Sequence, residues 1–288
     1  MRIVPIDFRP VAPHTAAVYR VVDGEQSWFV KILQSPEHWS MLMGMPSDIV
    51  ERLVAEFPWR AEADFLLSGF ELPPGMRRPR VHRIDELGPG RVAMWLEYVE
   101  CADVGWDLPR FTRAARLLGR WAGRRFGGEP GGALRFLVDG LIANHEFDHP
   151  GLSDIVERIP ELLDRLDALP QACGHSDACP QNLLVPKEDP DTFVVIDVTW
   201  QVPAAVGFDL GQLLIGLAHD GTLPVADLPP IREAIIDAYV CGLAEEGRRV
   251  AREDVAFGCD VSMLIRSGFH SGPELTDYVL GLVPVLGD

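Results

Sequence analysis

The stretch HSDACPQNLLV, from His175 to Val185, places a histidine, an aspartate and an asparagine in one short polar loop before an apolar run. A second apolar run, FVVIDV, carries Asp197 fifteen residues after Asn182. If the two runs are strands joined through KEDPDT, their ends lie side by side and Asp177, Asn182 and Asp197 converge. The amide oxygen of Asn182 and the carboxylate of Asp197 together suit Mg²⁺. The remaining carboxylate, Asp177, is then free to face a hydroxyl of a substrate. This combination indicates phosphoryl transfer.

A lysine and a glutamate upstream favour this interpretation over a second one, in which Asp177 and Asn182 merely cap turns. Lys31 lies in the β-rich run SWFVKIL, and Glu62 lies in the helical run WRAEADFLL. The chain has 24 arginines and only two lysines, so a lysine within an apolar strand indicates a specific role rather than a general surface charge. A strand lysine paired with a helix glutamate is how kinases position the α- and β-phosphates.

The elements that must position these residues fall into two groups. Residues 17–33 predict a hairpin that turns at Asp23-Gly24, and VHRIDE with RVAMWLEYV predicts another through LGPG. A helical segment is expected around 47–68. From about 107 the pattern becomes helical, interrupted by two short β-rich pieces near 182–198. The expected fold is therefore α+β with two lobes.

The boundaries follow from this pattern. Residues 1–96 are predicted to form an N-terminal nucleotide-binding lobe with a small antiparallel sheet and one main helix. Residues 97–105 form a hinge, and residues 106–288 form a larger, mostly helical catalytic and substrate lobe.

On these residues the sequence resembles the aminoglycoside phosphotransferase and choline kinase-like small-molecule kinases, which share the protein kinase-like two-lobe fold. The resemblance runs from about Thr15 to residue 215. Three segments carry it together with Lys31 and Glu62: His175-Ser176-Asp177 with Asn182, Ile196-Asp197-Val198, and Gly207-Phe208-Asp209-Leu210. Ser176 and Val198 depart from the family pattern, which has glycine and tryptophan there; Trp200 stands two places after Val198.

The resemblance implies a role for each matching residue. Asp177 is the catalytic residue, and Asn182 and Asp197 are the metal ligands for Mg²⁺. ATP, or GTP, is the expected co-substrate, bound through Lys31, Glu62, Thr15 in the loop APHTAAVYR, and the hinge residues Glu97 and Val99. His175 and Asp209 are expected to support the site, Asp209 as a helix N-cap that also steadies the preceding loop.

Charge and composition restrict the partners. The net charge is −17, of which residues 97–288 carry −16. An acidic helical lobe suits solubility, or attraction of a cationic small-molecule acceptor, and it disfavours nucleic acid. Five scattered cysteines indicate reduced thiols, and no apolar run is long enough to span a membrane. We therefore expect a cytoplasmic monomer or homodimer without membrane contact.

Other functions remain as alternatives. Only 11 residues separate Asp197 from the helix start at Asp209, and there is no APE motif, so the acceptor is expected to be a small molecule. It could be an aminoglycoside-type antibiotic or, in a housekeeping kinase, a sugar or amino-alcohol metabolite. A catalytically weak nucleotide-binding scaffold is the alternative of another class. The segment HEFDH at 145–149 matches a zinc-protease pattern, but Pro150-Gly151 ends any helix there, so no zinc site is expected.

Overall fold

The computed structural model describes residues 1–6, 14–42, 47–130, 135, 138, 149–199, 201–266 and 271–282. The chain divides into two compact units. Unit 1 comprises Met1–Asp103 and Leu184–Gln201, and unit 2 comprises Val104–Leu183 and Val202–Asp288. The sequence boundaries near 97–105 differ from this division in one respect, because residues 184–201 belong with the N-terminal unit.

The main sheet of unit 1 has five antiparallel strands in the order β1-β2-β3-β6-β5. Its strands are β1 (Arg2–Pro5), β2 (Thr15–Asp23), β3 (Gln26–Gln34), β5 (Val81–Glu86) and β6 (Arg91–Glu97). Asp23 pairs with Gln26, so Gly24 and Glu25 form a two-residue turn, and Gly24 has a positive φ of 60° as such turns require. Both predicted hairpins are confirmed.

Two helices follow β3 where the sequence predicted one segment: α1 (Ser47–Glu56) and α2 (Ala61–Leu67). Pro58 lies between them, and proline disfavours a continuous helix. The core of unit 1 joins α2 to the sheet through buried apolar side chains: Leu33, Ala63, Leu66, Val92, Met94 and Leu96.

A small second sheet explains why residues 184–201 belong to unit 1. Strand β4 (Met76–Arg77) pairs in parallel with β9 (Phe193–Val195), matching Met76 to Phe193 and Arg77 to Val194. The strand β8 (Leu183–Leu184) lies on the other side of β9. Both β8 and β9 are shorter than the runs NLLVP and FVVIDV suggested, so Asp197 lies beyond the strand.

Unit 2 is mostly helical, as predicted. Its helices are α3 (Leu108–Arg124), α4 (Pro150–Val156), α5 (Ile159–Ala168), α6 (Phe208–His219), α7 (Leu228–Glu245), α8 (Arg252–Arg266) and α9 (Pro273–Leu282). The strands β7 (Gln171–Ala172) and β10 (Ala204–Ala205) form a two-stranded antiparallel pair. Helix α3 packs against α7. Among the described helices, none combines the length and apolar character needed to cross a membrane.

Candidate functional site

Lys31 lies on β3, between β2 and β6, and is buried. Its Nζ is 2.7 Å from Glu62 Oε2 and 2.7 Å from Asp197 Oδ1. Side chains two positions apart on a strand share a face, so Lys31 and the core residue Leu33 both face α2. On α2, Glu62 and the core residue Leu66 lie four positions apart, on one side of the helix. Packing of Leu33 and Leu66 in one apolar core thus places Lys31 beside Glu62.

Glu62 joins Lys31 to the segment after β9 as well. Its Oε1 accepts a hydrogen bond from the backbone N–H of Asp197 at 2.9 Å, while its Oε2 binds Lys31. Both carboxylate oxygens are therefore used, and the Glu62 side chain is only 6% exposed. The predicted pairing of Lys31 with Glu62 is present, with Asp197 as a third member.

Asp197 has a left-handed backbone, with a φ of 59°. Aspartate tolerates this region better than most residues, and the bond from its N–H to Glu62 holds it there. Its Oδ1 also lies 3.2 Å from the Thr199 hydroxyl, which in turn is 3.5 Å from His14 Nε2. The side chain keeps 36% of its surface exposed.

The electrostatics of this group of side chains are those of a charged cluster. Burial would lower the pKa of Lys31, but the adjacent carboxylates of Glu62 and Asp197 outweigh it and raise the pKa above its ordinary value. Burial tends to raise the pKa of Asp197, and the Lys31 charge and hydrogen bond lower it overall. Burial and the charge of Lys31 lower the pKa of His14 to about 4. At neutral pH, Lys31 and Asp197 are therefore charged and His14 is neutral.

In unit 2, Asp177 and Asn182 lie in what we call the Asp177 loop (residues 174–182). Asn182 Nδ2 donates to the backbone oxygen of Asp177 at 2.9 Å, and the backbone N–H of Cys179 donates to the same oxygen at 2.9 Å. Residues 180–182 form a 3-10 turn that begins at Pro180. The five-residue spacing of Asp177 and Asn182 thus closes the loop on itself, and the two predicted residues are brought together.

Asp209 stabilises the Asp177 loop by hydrogen bonds to its backbone, as expected, although it is not the helix N-cap. Gly207, with a φ of 84°, is the N-cap of α6. A Cβ on Gly207 would lie 2.1 Å from the Val255 backbone oxygen, so only glycine fits there. Asp209 lies in the first helical turn, and its carboxylate accepts hydrogen bonds from the backbone N–H of His175, at 3.3 Å, and of Ser176. The prediction of an N-cap role is wrong because glycine takes that position.

His175 supports the loop by backbone bonding and burial. Its ring is fully buried and lies 5.7 Å, centroid to centroid, from the ring of Trp121. Neither ring nitrogen has a hydrogen-bond partner among the residues that the structure describes. The side chain therefore packs, while the backbone N–H binds Asp209.

Each of the two proposed metal ligands has an oxygen of the kind that a divalent cation binds. Because Nδ2 of Asn182 binds the backbone, its Oδ1 points away from that bond, and within the described chain it accepts no hydrogen bond. The same holds for Asp197 Oδ2, since Lys31 and Thr199 bind Oδ1. An amide oxygen and a carboxylate oxygen are the hard donors that Mg²⁺ prefers. The described residues contain no cluster of three or more His, Cys, Asp or Glu placed to bind a metal.

The three remaining nucleotide-site predictions have different outcomes. Thr15 is buried in the first position of β2, paired with Leu33, so the prediction that it lies in a loop is wrong. Residues 7–13, which precede it, lie outside the described residues. Glu97 ends β6, and both of its carboxylate oxygens bind Arg77 at 2.8 Å, so its side chain is engaged in an ion pair. Val99 is half-buried two residues later.

Two further sequence features have limited structural outcomes. Val198 is buried, whereas Trp200 lies outside the described residues. In the segment HEFDH, His145 is likewise outside them, while His149 is the N-cap of α4 and its Nε2 lies 3.0 Å from Asp277 Oδ1.

Sequence reasoning missed Arg266, Thr199 and His14. Arg266 Nη2 lies 2.7 Å from Asp177 Oδ1, and Nη1 donates to the Ser176 backbone oxygen. Arg266 is 89 positions from Asp177 and follows an ordinary helical pattern, so no local signal indicates the contact. Thr199, two residues after Asp197, could have been found as a hydroxyl next to a predicted ligand.

No protein-family model matches this chain. No curated protein matches it either. Solved structures do match. Choline kinase LicA from Streptococcus pneumoniae has a TM-score of 0.56 at 12% identity, covering 99% of this chain and 87% of that one. An amicoumacin kinase, hAmiN, in complex with AMP-PNP, Ca²⁺ and amicoumacin has a TM-score of 0.55 at 12% identity, covering 99% and 88%.

A third match is an aminoglycoside phosphotransferase, APH(3'')-Id from Streptomyces rimosus, in complex with ADP and streptomycin. Its TM-score is 0.51 at 18% identity, covering 88% of this chain and 92% of that chain. The α+β composition and the antiparallel N-terminal sheet predicted from the sequence are confirmed. The chain has the protein kinase-like fold that these small-molecule kinases share.

Proposed function

We propose that the protein is a small-molecule kinase that transfers the γ-phosphoryl group of ATP, or GTP, to a hydroxyl of a small, cationic acceptor. The observation that carries the proposal is the cluster of Lys31, Glu62 and Asp197, in which Nζ of the buried Lys31 lies 2.7 Å from an oxygen of each carboxylate. The Lys31 ammonium has three N–H donors, and it donates to one carboxylate on a helix and to another after a strand. The second carboxylate, that of Asp197, is partly exposed. A site that binds a nucleotide together with its metal ion requires such an accessible carboxylate.

Lys31 serves as the positive charge for the α- and β-phosphates. A buried ammonium held between two carboxylates has a fixed position, so it can bind phosphate oxygens without first being ordered. Glu62 supplies that fixation, because it binds Lys31 and the Asp197 backbone together.

Asn182 and Asp197 would hold the divalent metal through Asn182 Oδ1 and Asp197 Oδ2. When bound, Mg²⁺ neutralises charge on the phosphate oxygens during transfer. Thr199 orients the Asp197 carboxylate by donating a hydrogen bond to Oδ1, and Oδ2 is then left for the metal.

Asp177 would orient the acceptor hydroxyl and accept its proton as transfer completes. A hydroxyl attacking through a loose transition state loses its proton late, so an ordinary carboxylate is a sufficient base. Hydrogen bonds support the Asp177 loop in this role, since Asn182, Cys179 and Asp209 all bind its backbone.

The acceptor is proposed to be a cation, such as an aminoglycoside-type compound. Residues 97–288 carry a net charge of −16, which raises the local concentration of cations. The matched structures support a small acceptor, since theirs contain streptomycin or amicoumacin. A sugar or amino-alcohol metabolite is the alternative, and a role in antibiotic resistance would follow only from the aminoglycoside-type acceptor.

The test is an acceptor panel with Mg²⁺ and either ATP or GTP. It contains aminoglycosides, amino alcohols and neutral sugars, and the product is detected by mass spectrometry as the acceptor plus one phosphoryl group. We expect transfer to at least one amine-bearing acceptor, and transfer about 100-fold slower or more with Asp177→Asn. A chain that binds nucleotide and yields neither product nor acceptor-stimulated hydrolysis would be the nucleotide-binding scaffold instead.

A further inference from the structure

Arg266, the last residue of α8, contacts the Asp177 loop at two adjacent residues. Its Nη2 donates to Asp177 Oδ1 at 2.7 Å, and its Nη1 donates to the backbone oxygen of Ser176. Arginine can make both bonds at once because its guanidinium presents several N–H donors in one fixed plane. The contacts lie wholly within unit 2.

Ser176 has a backbone conformation that serine rarely adopts. Its φ is 64°, in the left-handed region, where a Cβ approaches the following carbonyl oxygen. Glycine, for which this conformation is unstrained, would be the expected residue. A strained residue of this kind persists only where its surroundings fix it.

The surroundings of Ser176 do fix it, from both sides. Its N–H donates to Asp209 Oδ1, and its carbonyl accepts from Arg266 Nη1. The residue is also only 4% exposed. Since Asp177 is the next residue, the orientation of the Ser176 carbonyl determines where the Asp177 side chain begins.

We propose that Arg266 is a positioning residue that holds Ser176 in its left-handed conformation and thereby fixes the carboxylate of Asp177. Arg266 touches no reacting atom in this role. It binds one oxygen of the carboxylate, and the other oxygen remains for a ligand. The effect on Asp177 rests on the proposed phosphotransfer, whereas the effect on the Ser176 backbone does not.

The proposal predicts a specific coupling between positions 176 and 266. Arg266→Met removes both bonds and keeps an unbranched side chain. Ser176→Gly removes the strain that the bonds counteract. If Arg266 acts by holding a strained backbone, its loss should cost less when residue 176 is glycine, so the two effects should not add.

Thermal unfolding of the full chain measures this coupling without any assay of activity. We expect Arg266→Met to lower Tm by about 4 °C, which is the size expected for losing a partly buried two-point contact in a chain of this length. Ser176→Gly alone should change Tm by less than about 2 °C, because relief of strain offsets the greater entropy of unfolded glycine. The double variant should recover at least half of the loss, and additive losses would overturn the proposal.

Arg252→Met is the matched control. Arg252 begins the same helix and also makes two bonds, to Glu233 and Asp237 at 2.6 Å each, away from the Asp177 loop. Combining it with Ser176→Gly should give additive changes in Tm. If Arg266→Met does not fold, Arg266→Lys replaces it in the same cycle under the same criterion.

Kinetics separate a positioning role from a merely structural one. On the accepted substrate, Arg266→Met should lower kcat at least about tenfold with nucleotide KM within about twofold, and Ser176→Gly should restore part of kcat. Arg266→Lys keeps the charge but has one nitrogen, so its kcat should resemble that of the Met variant. Full activity in Arg266→Lys would overturn the two-point contact. If the parent chain transfers no phosphoryl group, the proposed function fails, and the unfolding cycle still decides the role of Arg266.

Discussion

The backbone N–H of Asp197 donates a hydrogen bond to Glu62 Oε1 at 2.9 Å, across 135 positions of sequence. The same carboxylate binds Lys31 through its other oxygen. Glu62 therefore fixes the side chain that would bind phosphate and the backbone of the residue that would bind metal. Since both oxygens of one buried carboxylate are used, small changes at any of the three residues should affect the other two.

Lys31→Arg tests whether a compact ammonium is required. The side chain is 7% exposed and contacts two carboxylates at 2.7 Å, so a larger planar guanidinium must displace its neighbours. We expect kcat/KM to fall at least about tenfold, with a rise in nucleotide KM. Steady-state kinetics with varied nucleotide measures both. Lys187→Arg, at the exposed second lysine, is the control and should match the parent enzyme.

Asp197→Ala tests the metal ligand. It removes the proposed Oδ2 donor and leaves Lys31 with Glu62 as its single carboxylate partner. Transfer should be abolished, and nucleotide binding measured by isothermal titration should lose its dependence on Mg²⁺. Asp189→Ala, at an exposed position of the same unit, should change neither. Near-normal turnover by Asp197→Ala would contradict the assignment.

Asp177→Asn tests the division of labour in unit 2. The amide keeps the size of the side chain and an oxygen for hydrogen bonding, but it cannot take the acceptor proton. We expect kcat to fall about 100-fold or more, the scale of losing a general base, with the affinity for a non-hydrolysable ATP analogue nearly unchanged. Equal losses in binding and turnover would instead make Asp177 part of the metal site.

The lowered pKa of His14 predicts that the free energy of unfolding falls as the pH is lowered. Its folded pKa of about 4 lies below the ordinary value of 6.5, so between these values the unfolded state binds more protons than the folded state. The His14 contribution is complete above pH 6.5 and is lost as pH falls toward 4. Urea unfolding at pH 7.5 and pH 5 should show a drop of about 2 kcal/mol from this residue. His14→Asn should lack that part of the drop, and an unchanged drop would refute it.

Gly207→Ala tests the close approach that positions Asp209. The new Cβ would lie 2.1 Å from the Val255 backbone oxygen, and the alanine would also have to adopt a φ of 84°. Gly221 has a similar φ of 79° in open space, so Gly221→Ala shows the cost of the backbone conformation alone. We expect about 1–2 kcal/mol for Gly221→Ala and a clearly larger loss for Gly207→Ala, measured by urea unfolding. Equal losses would show that the steric contact is unimportant.

The sequence by itself determined the elements whose signals are local. The turns at Asp23-Gly24 and LGPG, and the helical period from residue 107 onward, depend on neighbours within a few positions, and the structure has them as predicted. The pairing of Lys31 with Glu62 was also accessible, because the scarcity of lysine singled out Lys31. The spacing of Asp177 and Asn182 likewise predicted residues that the loop brings together.

Only the tertiary structure decided how distant segments hold these residues. Arg266 reaches Asp177 across 89 positions, and Asp209 binds the loop across 33 and 34 positions. The pairing of β9 with β4 places residues 184–201 in unit 1, although their neighbours in sequence belong to unit 2. Such contacts arise from packing of whole elements, and no local periodicity encodes them. For the same reason Ser176, which the sequence marks only as a missing glycine, becomes intelligible once its two backbone partners are known.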